Sequence, residues 1–149
     1  MKLTIRSNHA MRMVMFCAVN DGAVASVAEI AAACNMSEAH LAKIANKLAA
    51  HGFLETVRGR NGGVRLAKPA VDINVGDIVR ATEFGRCLVE CFDADTNTCP
   101  LTKVCRFQSI IGRALEAFLS VLDGYTISDL VADRENLREA MGLTDTVLA

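Results

Sequence analysis

Residues 26–69 constrain the fold most, because two helical patterns are followed there directly by two apolar runs around a glycine-rich turn. Ser26 opens an S-x-x-E capping box, which predicts a first helix over about residues 27–33. Ser37 is positioned to cap a second helix over about residues 38–50, with apolar residues at helical spacing on one face. Two short helices joined by a tight turn predict a helix-turn-helix.

The segment after the second helix, FLETVRGRNGGVRLAKP, predicts a β-hairpin. Asn61 followed by Gly62 is a strong turn signal, since both residues tolerate a positive φ. A helix-turn-helix followed at once by a hairpin is a winged helix. Arg58, Arg60 and Arg65 crowd this hairpin, and arginines on a narrow tip suit the electronegative minor groove of DNA. The alternative is a basic hairpin that is only solvated.

The rest of the chain is predicted to be helical as well. The further elements are a helix over 7–20 capped by Ser7 or Asn8, a helix over 75–83, a long helix over 104–122 and a short last helix starting at Thr126 or Ser128. The expected fold class is therefore mainly α, a winged helix-turn-helix DNA-binding domain with a long C-terminal dimerisation helix.

Three regions follow from these elements. We expect a winged helix-turn-helix domain over 1–83, a cysteine-rich loop over 84–105, and a dimerisation helix with a C-terminal helix over 106–149.

Dimerisation is expected because the long helix carries a broad apolar stripe. The stripe consists of Phe107, Ile110, Ile111, Ala114, Leu115, Phe118, Leu119 and Leu122. One small winged helix has too little surface to cover a helix about 28 Å long, so we expect burial against a second copy in a two-fold dimer. Packing on its own domain alone is the alternative.

Charge and the absence of targeting signals suggest where such a chain works. Residues 1–68 contain 9 Lys and Arg against 4 Asp and Glu, whereas residues 69–149 contain 7 against 13. A positive first half suggests a polyanionic partner, although uneven surface charge is an equally simple explanation. No cleavage site follows the N-terminal apolar run, and no stretch reaches about 18 apolar residues. We therefore expect a cytoplasmic protein with no membrane partner, in a compartment where thiols stay reduced.

Four of the six cysteines lie within CLVECFDADTNTCPLTKVC, at C-x3-C-x7-C-x5-C spacing. No pair has the C-x2-C spacing of a zinc knuckle or of a redox pair. Long, uneven spacings on a loop suit an iron–sulfur cluster, whose thiolate ligands converge from several directions. We favour Cys91, Cys99 and Cys105 as ligands, with Cys87 a packed or reserve thiol. A cluster-free thiol-redox regulator or a zinc-stabilised interaction protein is the alternative.

The remaining reactive residue types do not form an enzyme motif. Cys17 and Cys34 fall in helical positions and are expected to be structural. His9, His40 and His51 are scattered on helices without an evident partner, and no nucleotide loop or pair of catalytic carboxylates is present. We expect no enzyme activity.

Four segments together carry a family resemblance: LTIRSNHAMRMVMFCA, VRGRNGGVRLAKP, VGDIVRATE and ECFDADTNTCPLTKVC. In this order they resemble the iron–sulfur winged-helix regulators that include IscR, NsrR and RirA, over about residues 1–135. The chain is most similar to the nitric-oxide-responsive NsrR group and also similar to the iron-responsive RirA group. The resemblance implies a homodimeric repressor of operator DNA, with nitric oxide or iron status as the effector. It also implies a cluster, which we expect to be 4Fe–4S rather than 2Fe–2S.

The resemblance also implies residue roles. It matches three cysteines to cluster ligands and places a set of polar residues on DNA. The ligands are Cys91, Cys99 and Cys105; the recognition-helix residues are Ser37, Glu38, His40 and Lys43; the wing residues are Arg58, Arg60 and Asn61. Positive charge adds Lys47, Lys2 and Arg6 as expected phosphate contacts.

The fourth ligand departs from the family pattern. Some NsrR proteins use an Asp in the N-terminal helix of the partner subunit, and Asn8 occupies that position here. Asn is a poor iron ligand. The open candidates are His9, a carboxylate such as Asp93 or Asp95, a small thiol, and water.

Overall fold

The structure, a computed structural model, describes residues 3–83 and 88–143. Its described part contains seven α-helices and one two-stranded sheet. The helices are α1 (Ile5–Val19), α2 (Val27–Ala33), α3 (Glu38–Ala50), α4 (Val75–Glu83), α5 (Arg106–Asp123), α6 (Ile127–Leu130) and α7 (Arg134–Ala140), and the strands are β1 (Leu54–Val57) and β2 (Gly63–Leu66). The predicted mainly α winged helix with a long C-terminal helix is confirmed.

The first helix begins earlier than predicted, because Thr4 caps it instead of Ser7 or Asn8. The Thr4 side chain accepts a hydrogen bond from the backbone N–H of Ser7. The Ser7 side chain is buried, and its hydroxyl lies 2.6 Å from that of Thr82 and also bonds Glu83 on α4. The start of α1 is thus tied to the end of α4.

The two helices of the helix-turn-helix have the predicted bounds. Ser26 and Glu29 form the predicted capping box: the Glu29 N–H donates to the Ser26 hydroxyl at 3.2 Å, and the Ser26 N–H donates to the Glu29 carboxylate at 2.7 Å. Ser37 occupies the cap position of α3, but its hydroxyl makes no capping hydrogen bond. The inward face of α3 is Leu41, Ile44, Ala45 and Leu48.

The hairpin forms as predicted, but its turn is built differently. Leu54 pairs with Leu66 and Val57 with Gly63 in antiparallel register. The residue with positive φ at the tip is Gly59, at 114°, so the assignment of that role to Asn61 and Gly62 was wrong. Gly62 is needed for space: a Cβ there would lie 2.4 Å from the Val57 carbonyl oxygen.

The wing is joined to the helix-turn-helix by an isolated β-bridge. Ala25, just before α2, exchanges two backbone hydrogen bonds with Val64, at 3.0 and 2.8 Å. A Cβ on Gly63 would lie 2.1 Å from the Ala25 carbonyl oxygen, so only glycine permits this approach. Wing and helices therefore share one core, whose largest fully buried side chains are Phe16, Met13, Ile30, Leu41, Leu48, Leu54, Ile73, Ile78, Ile127, Val14, Val19 and Val64.

The long helix α5 begins at Arg106, two residues later than predicted, because Cys105 is its N-cap. At the other end, Arg80 donates to both carboxylate oxygens of Asp123, at 2.6 and 2.5 Å. Asn74 donates to the Asp123 carbonyl at 2.7 Å. The C-terminal end of α5 is therefore fixed on α4.

The apolar stripe of α5 is only partly covered by the described chain: Leu122 packs on the core, whereas Phe107 and Ile110 are exposed. No residue of α5 is buried. Phe107 and Ile110 of the stripe are 57% and 59% exposed, and Val121, which was not counted in the stripe, is 62% exposed. This surplus is what the sequence predicted, since one winged helix was expected to be too small to cover it.

Two short helices follow α5, one more than predicted. Thr126, one of the two predicted caps, forms a capping box with Asp129 at the start of α6. Helix α7 was not predicted. It packs through Arg134, which donates to the carbonyls of Ala18 and Val19 at 3.1 and 2.8 Å and so satisfies the C-terminal end of α1.

None of the helices in the described ranges is both long enough and apolar enough to span a membrane.

Candidate nucleic-acid interface and cysteine loop

The outer face of α3 presents the polar residues predicted for it. Ser37, Glu38 and Lys43 are exposed, and Lys47 is half-buried. Asn46 is exposed on the same helix, and the sequence reasoning missed it. Its position three residues after Lys43 was the available signal, because residues three apart share a helix face.

His40 is placed differently from the other predicted contacts. Its ring meets that of His9 on α1 edge to face, with centroids 5.3 Å apart. The expectation that the histidines lack partners was therefore wrong for this pair. Burial, together with the nearby His40 and Arg12, lowers the pKa of His9, and its Nδ1 is a buried atom without a hydrogen bond. His9 thus forms a ring contact between α1 and α3.

The wing separates its arginines into two kinds. Arg58, Arg60 and Asn61 are exposed at the tip, and in the described part of the chain neither of these two arginines forms an ion pair. Arg65 lies on β2 opposite Glu55 and is ion-paired with it. The tip is therefore a source of uncompensated positive charge, whereas Arg65 is largely neutralised.

The three cysteines predicted as ligands lie on one loop before α5. Cys91, Cys99 and Cys105 are free and half-buried. Cys87 lies outside the described residues. Cys17 is buried, and burial raises the pKa of its thiol to about 12, so it stays a neutral thiol, as expected for a structural cysteine. Burial also raises the pKa of half-buried Cys34.

Hydrogen bonds hold the backbone of the loop around two of the cysteines. Gln108 of α5 donates to the Cys91 carbonyl at 2.9 Å. The Cys99 N–H donates to the Asn97 side chain at 3.0 Å, and the Thr102 hydroxyl donates to the Cys99 carbonyl at 2.8 Å. None of these bonds uses a sulfur atom, so the thiols stay available as ligands.

A carboxylate joins two segments of this loop. One oxygen of Glu90 accepts from the N–H of Thr98 at 2.5 Å and from its hydroxyl at 2.6 Å. These hydrogen bonds from Thr98 hold the pKa of Glu90 below its usual value. Neither Glu90 nor Thr98 was singled out from the sequence, because the contact depends on how the loop folds back.

The candidates for a fourth ligand lie in different places. Asn8 is exposed on α1, and His9 lies against His40. Asp93 accepts hydrogen bonds from the Thr96 hydroxyl at 2.7 Å and the Asp95 N–H at 3.1 Å. The Asp95 residue is exposed.

The donor set fits an iron–sulfur cluster by its chemistry, since three free thiols stand on a loop whose backbone bonds leave the sulfur atoms unused. The possible ligand side chains, however, lie far apart. Among residues 3–83 and 88–143, no three His, Cys, Asp or Glu side chains are gathered closely enough to hold a metal ion. The loop must therefore draw its thiols together to bind one.

Comparison with known families gives one match over most of the chain. Residues 3–133 match the Rrf2 family, described as an iron-dependent transcriptional regulator.

Individual relatives agree with that match. The chain is 47% identical to the HTH-type transcriptional regulator NsrR of Geobacillus kaustophilus, covering 95% of this chain and 97% of the relative. It is 45% identical to protein aau3 of Rhizobium meliloti, over 99% of this chain and 96% of that protein. Among solved structures it resembles T. potens IscR, with a TM-score of 0.69 and 25% identity over 89% of this chain and 88% of that one. The relatives named by function are transcriptional regulators and not enzymes, which confirms that expectation.

Proposed function

We propose, from the premise that this chain belongs to the Rrf2 family of transcriptional regulators, that it is a homodimeric cytoplasmic repressor sensing nitric oxide through an iron–sulfur cluster. Cys91, Cys99 and Cys105 hold the cluster, which we take to be 4Fe–4S. The observation that carries the proposal is the combination of a cationic wing tip, without ion pairs among the described residues, with three free thiols on the loop before α5.

The DNA-binding part rests on α3 and the wing. Lys43 and Asn46 project from the outer face of α3, where the recognition helix of a helix-turn-helix enters the major groove. Arg58 and Arg60 reach the neighbouring minor groove, and Lys47 contacts phosphate. In a dimer, two such helices meet successive major grooves about one helical turn apart.

The sensing part of the proposal rests on the cysteine loop and on its contacts with α5, which is in turn fixed on α4. When bound, the cluster supplies iron that reacts with nitric oxide. The chain's own residues carry a change of loop shape to the DNA-binding domain. Cys105 caps α5, Gln108 ties the Cys91 backbone to the same helix, and the Arg80–Asp123 pair fixes the far end of α5 on α4.

A loop that changes shape therefore moves α5 about an anchored end, and α4 lies against the same core as α3. A coupling of about 1–3 kcal/mol between loop and DNA surface changes operator affinity roughly 5–150-fold.

A second candidate signal is iron status, favoured by the family description as an iron-dependent regulator. A cluster-free thiol-redox regulator is a third candidate, favoured by the open arrangement of the thiols. The same experiment separates all three.

The test is metal analysis of protein isolated without oxygen. We expect about four irons and about four sulfides per chain, with visible absorbance typical of a cluster. Nitric oxide is expected to abolish operator binding at concentrations too low to remove iron, whereas an iron-responsive regulator loses binding with chelator. Colourless protein without sulfide contradicts the cluster and favours the thiol-redox candidate.

Cys99→Ser is the matching variant. We expect it to lose the cluster and the response to nitric oxide while remaining a folded dimer, because Cys99 lies on a loop outside the core. Cys17→Ser changes a thiol that is not a proposed ligand and serves as the control for the cluster spectrum. A full cluster in Cys99→Ser would show that the ligand set is wrong.

A further inference from the structure

We propose that Glu90 is a positioning residue that clamps the cysteine loop, holding the segments that carry Cys91 and Cys99 together before any metal arrives. The inference rests on the proposed function, since it assigns these two cysteines as ligands. It goes further by assigning a role to a residue that is not itself a ligand.

The clamp is defined by sequence position and by distance. Glu90 directly precedes Cys91, and Thr98 directly precedes Cys99. The two hydrogen bonds from Thr98 to a single Glu90 oxygen, at 2.5 and 2.6 Å, close the loop between residues eight positions apart. A charged acceptor makes these bonds stronger than neutral ones. Glu90 and Thr98, the residues that precede the two proposed ligands, are therefore held at hydrogen-bonding distance from each other.

The surrounding bonds complete the arrangement without using the thiols. Gln108 fixes the Cys91 carbonyl, and Asn97 and Thr102 fix the Cys99 backbone. Only the Glu90–Thr98 contact links the Cys91 side of the loop to the Cys99 side among the side-chain hydrogen bonds of residues 88–105 that the structure describes. Without it, each half of the loop keeps its own bonds but the two halves are free to separate.

Such a clamp has a physical purpose. Residues that orient metal ligands through hydrogen bonds typically contribute about 10–100-fold to metal affinity, because they remove ligand conformations that cannot bind. The described thiols are not gathered closely enough to hold a metal ion, so binding needs a movement. The clamp limits that movement to a rearrangement within a closed loop.

The first test uses the metal-free full chain and measures hydrogen exchange at the Thr98 amide. We expect exchange in Glu90→Ala to be roughly tenfold faster or more, because the N–H loses its acceptor. Glu90→Gln keeps an oxygen acceptor and is expected to fall between that variant and the natural protein. Glu135→Ala removes an exposed carboxylate on α7 and serves as the control. Unchanged Thr98 exchange in Glu90→Ala overturns the clamp.

The second test titrates the metal-free protein with Co²⁺ alone and follows the thiolate-to-cobalt absorption. We expect Glu90→Ala to weaken binding by about 10-fold or more, and Thr98→Val, which keeps the N–H bond, to weaken it less. Equal affinity in Glu90→Ala and the natural protein overturns the positioning role. The positioning role is also overturned if Glu90→Gln keeps the Thr98 amide protected from exchange but binds Co²⁺ as weakly as Glu90→Ala. Glu90 would then be a ligand itself.

The two tests keep this inference separate from the proposed function. If Cys99→Ser leaves the cobalt absorption unchanged, the proposed ligand set fails, and Thr98 exchange still decides whether Glu90 closes the loop.

Discussion

The hydroxyl of Ser7 shows how much one polar residue can contribute when it is buried. It bonds both Thr82 and Glu83, and Glu83 also accepts from the N–H and hydroxyl of Thr4, at 2.7 and 2.9 Å. Burial alone would raise the pKa of Glu83, but the hydrogen bonds from Ser7 and Thr4 outweigh it and hold that pKa below its usual value. A single carboxylate thus joins the beginning of α1 to the end of α4.

We expect Glu83→Gln to lower the free energy of unfolding by about 1–2 kcal/mol at neutral pH, because hydrogen bonds to a charged acceptor are weakened. Urea denaturation measures this change, and Glu135→Gln, at an exposed site, is expected to leave stability unchanged. Since the folded pKa of Glu83 lies below its ordinary value of 4.5, its contribution is complete above that pH. The contribution is lost as pH falls through the lower, folded pKa, so the difference between natural protein and variant shrinks on acidification. A difference that grows with acidity would contradict the assignment.

At the scale of the element, the wing shows that residues of one type have different roles within one hairpin. Arg60 is exposed at the tip and has no ion pair within residues 3–83 and 88–143, whereas Arg65 is paired with Glu55 across the strands. Turn geometry produces this difference: residues at the tip project beyond the last strand pair, where no opposite residue is available to compensate a charge.

We expect Arg60→Ala to weaken operator binding by about tenfold at physiological salt and to reduce the salt slope by about one, because one phosphate or minor-groove contact is lost. Arg65→Ala is the matched control: it removes an arginine from the same hairpin and is expected to have a smaller effect. Binding isotherms at several salt concentrations measure both quantities. Unaltered affinity in Arg60→Ala would remove the wing from the binding mechanism.

At the scale of the whole molecule, the C-terminal end of α5 is fixed on its own chain, whereas part of its apolar stripe is exposed. Its C-terminal end is fixed on α4 by Asp123, and a Cβ on Gly76 would lie 2.0 Å from a carboxylate oxygen of that residue. Its apolar stripe, by contrast, is only partly covered within the described chain, and Phe107 and Ile110 on it are exposed. Loop residues Leu101 and Val104 beside the start of α5 are also exposed, by 58% and 78%. Exposed apolar surface on this scale favours a second copy as the cover.

We expect Ile110→Asp to convert the proposed dimer to monomer, because the substitution places a charge in the interface that the stripe implies. Sedimentation velocity measures the state, and circular dichroism is expected to be nearly unchanged since Ile110 is 59% exposed within its own chain. Ser109→Asp introduces the same charge one position away, off the stripe, and is expected to remain dimeric. A dimeric Ile110→Asp protein would show that another surface joins the subunits.

Local patterns in the sequence determined most of the elements. The capping boxes at Ser26 and Thr126 depend on residues three positions apart, and helical spacing of apolar residues gave α2, α3 and α4 with the observed bounds. These interactions act within one or two turns, so the information needed to predict them lies in a short stretch of chain. Helix α7 was missed although Asp133 caps it locally by accepting from the Asn136 N–H; what a short stretch could not show is its packing through Arg134 onto the end of α1, more than a hundred residues away.

The tertiary structure alone decided which chemically similar residues have partners. Among the described residues it gives Arg65 an ion pair but not Arg60, places His40 against His9, bonds buried Ser7 to Glu83, and links Glu90 to Thr98. Hydrogen bonds, ion pairs and ring contacts require separations of a few ångströms, and folding brings such residues together from distant or oppositely directed segments. The sequence therefore determined the types of residue available to bind DNA and metal, and the fold determined which of them remain free to do so.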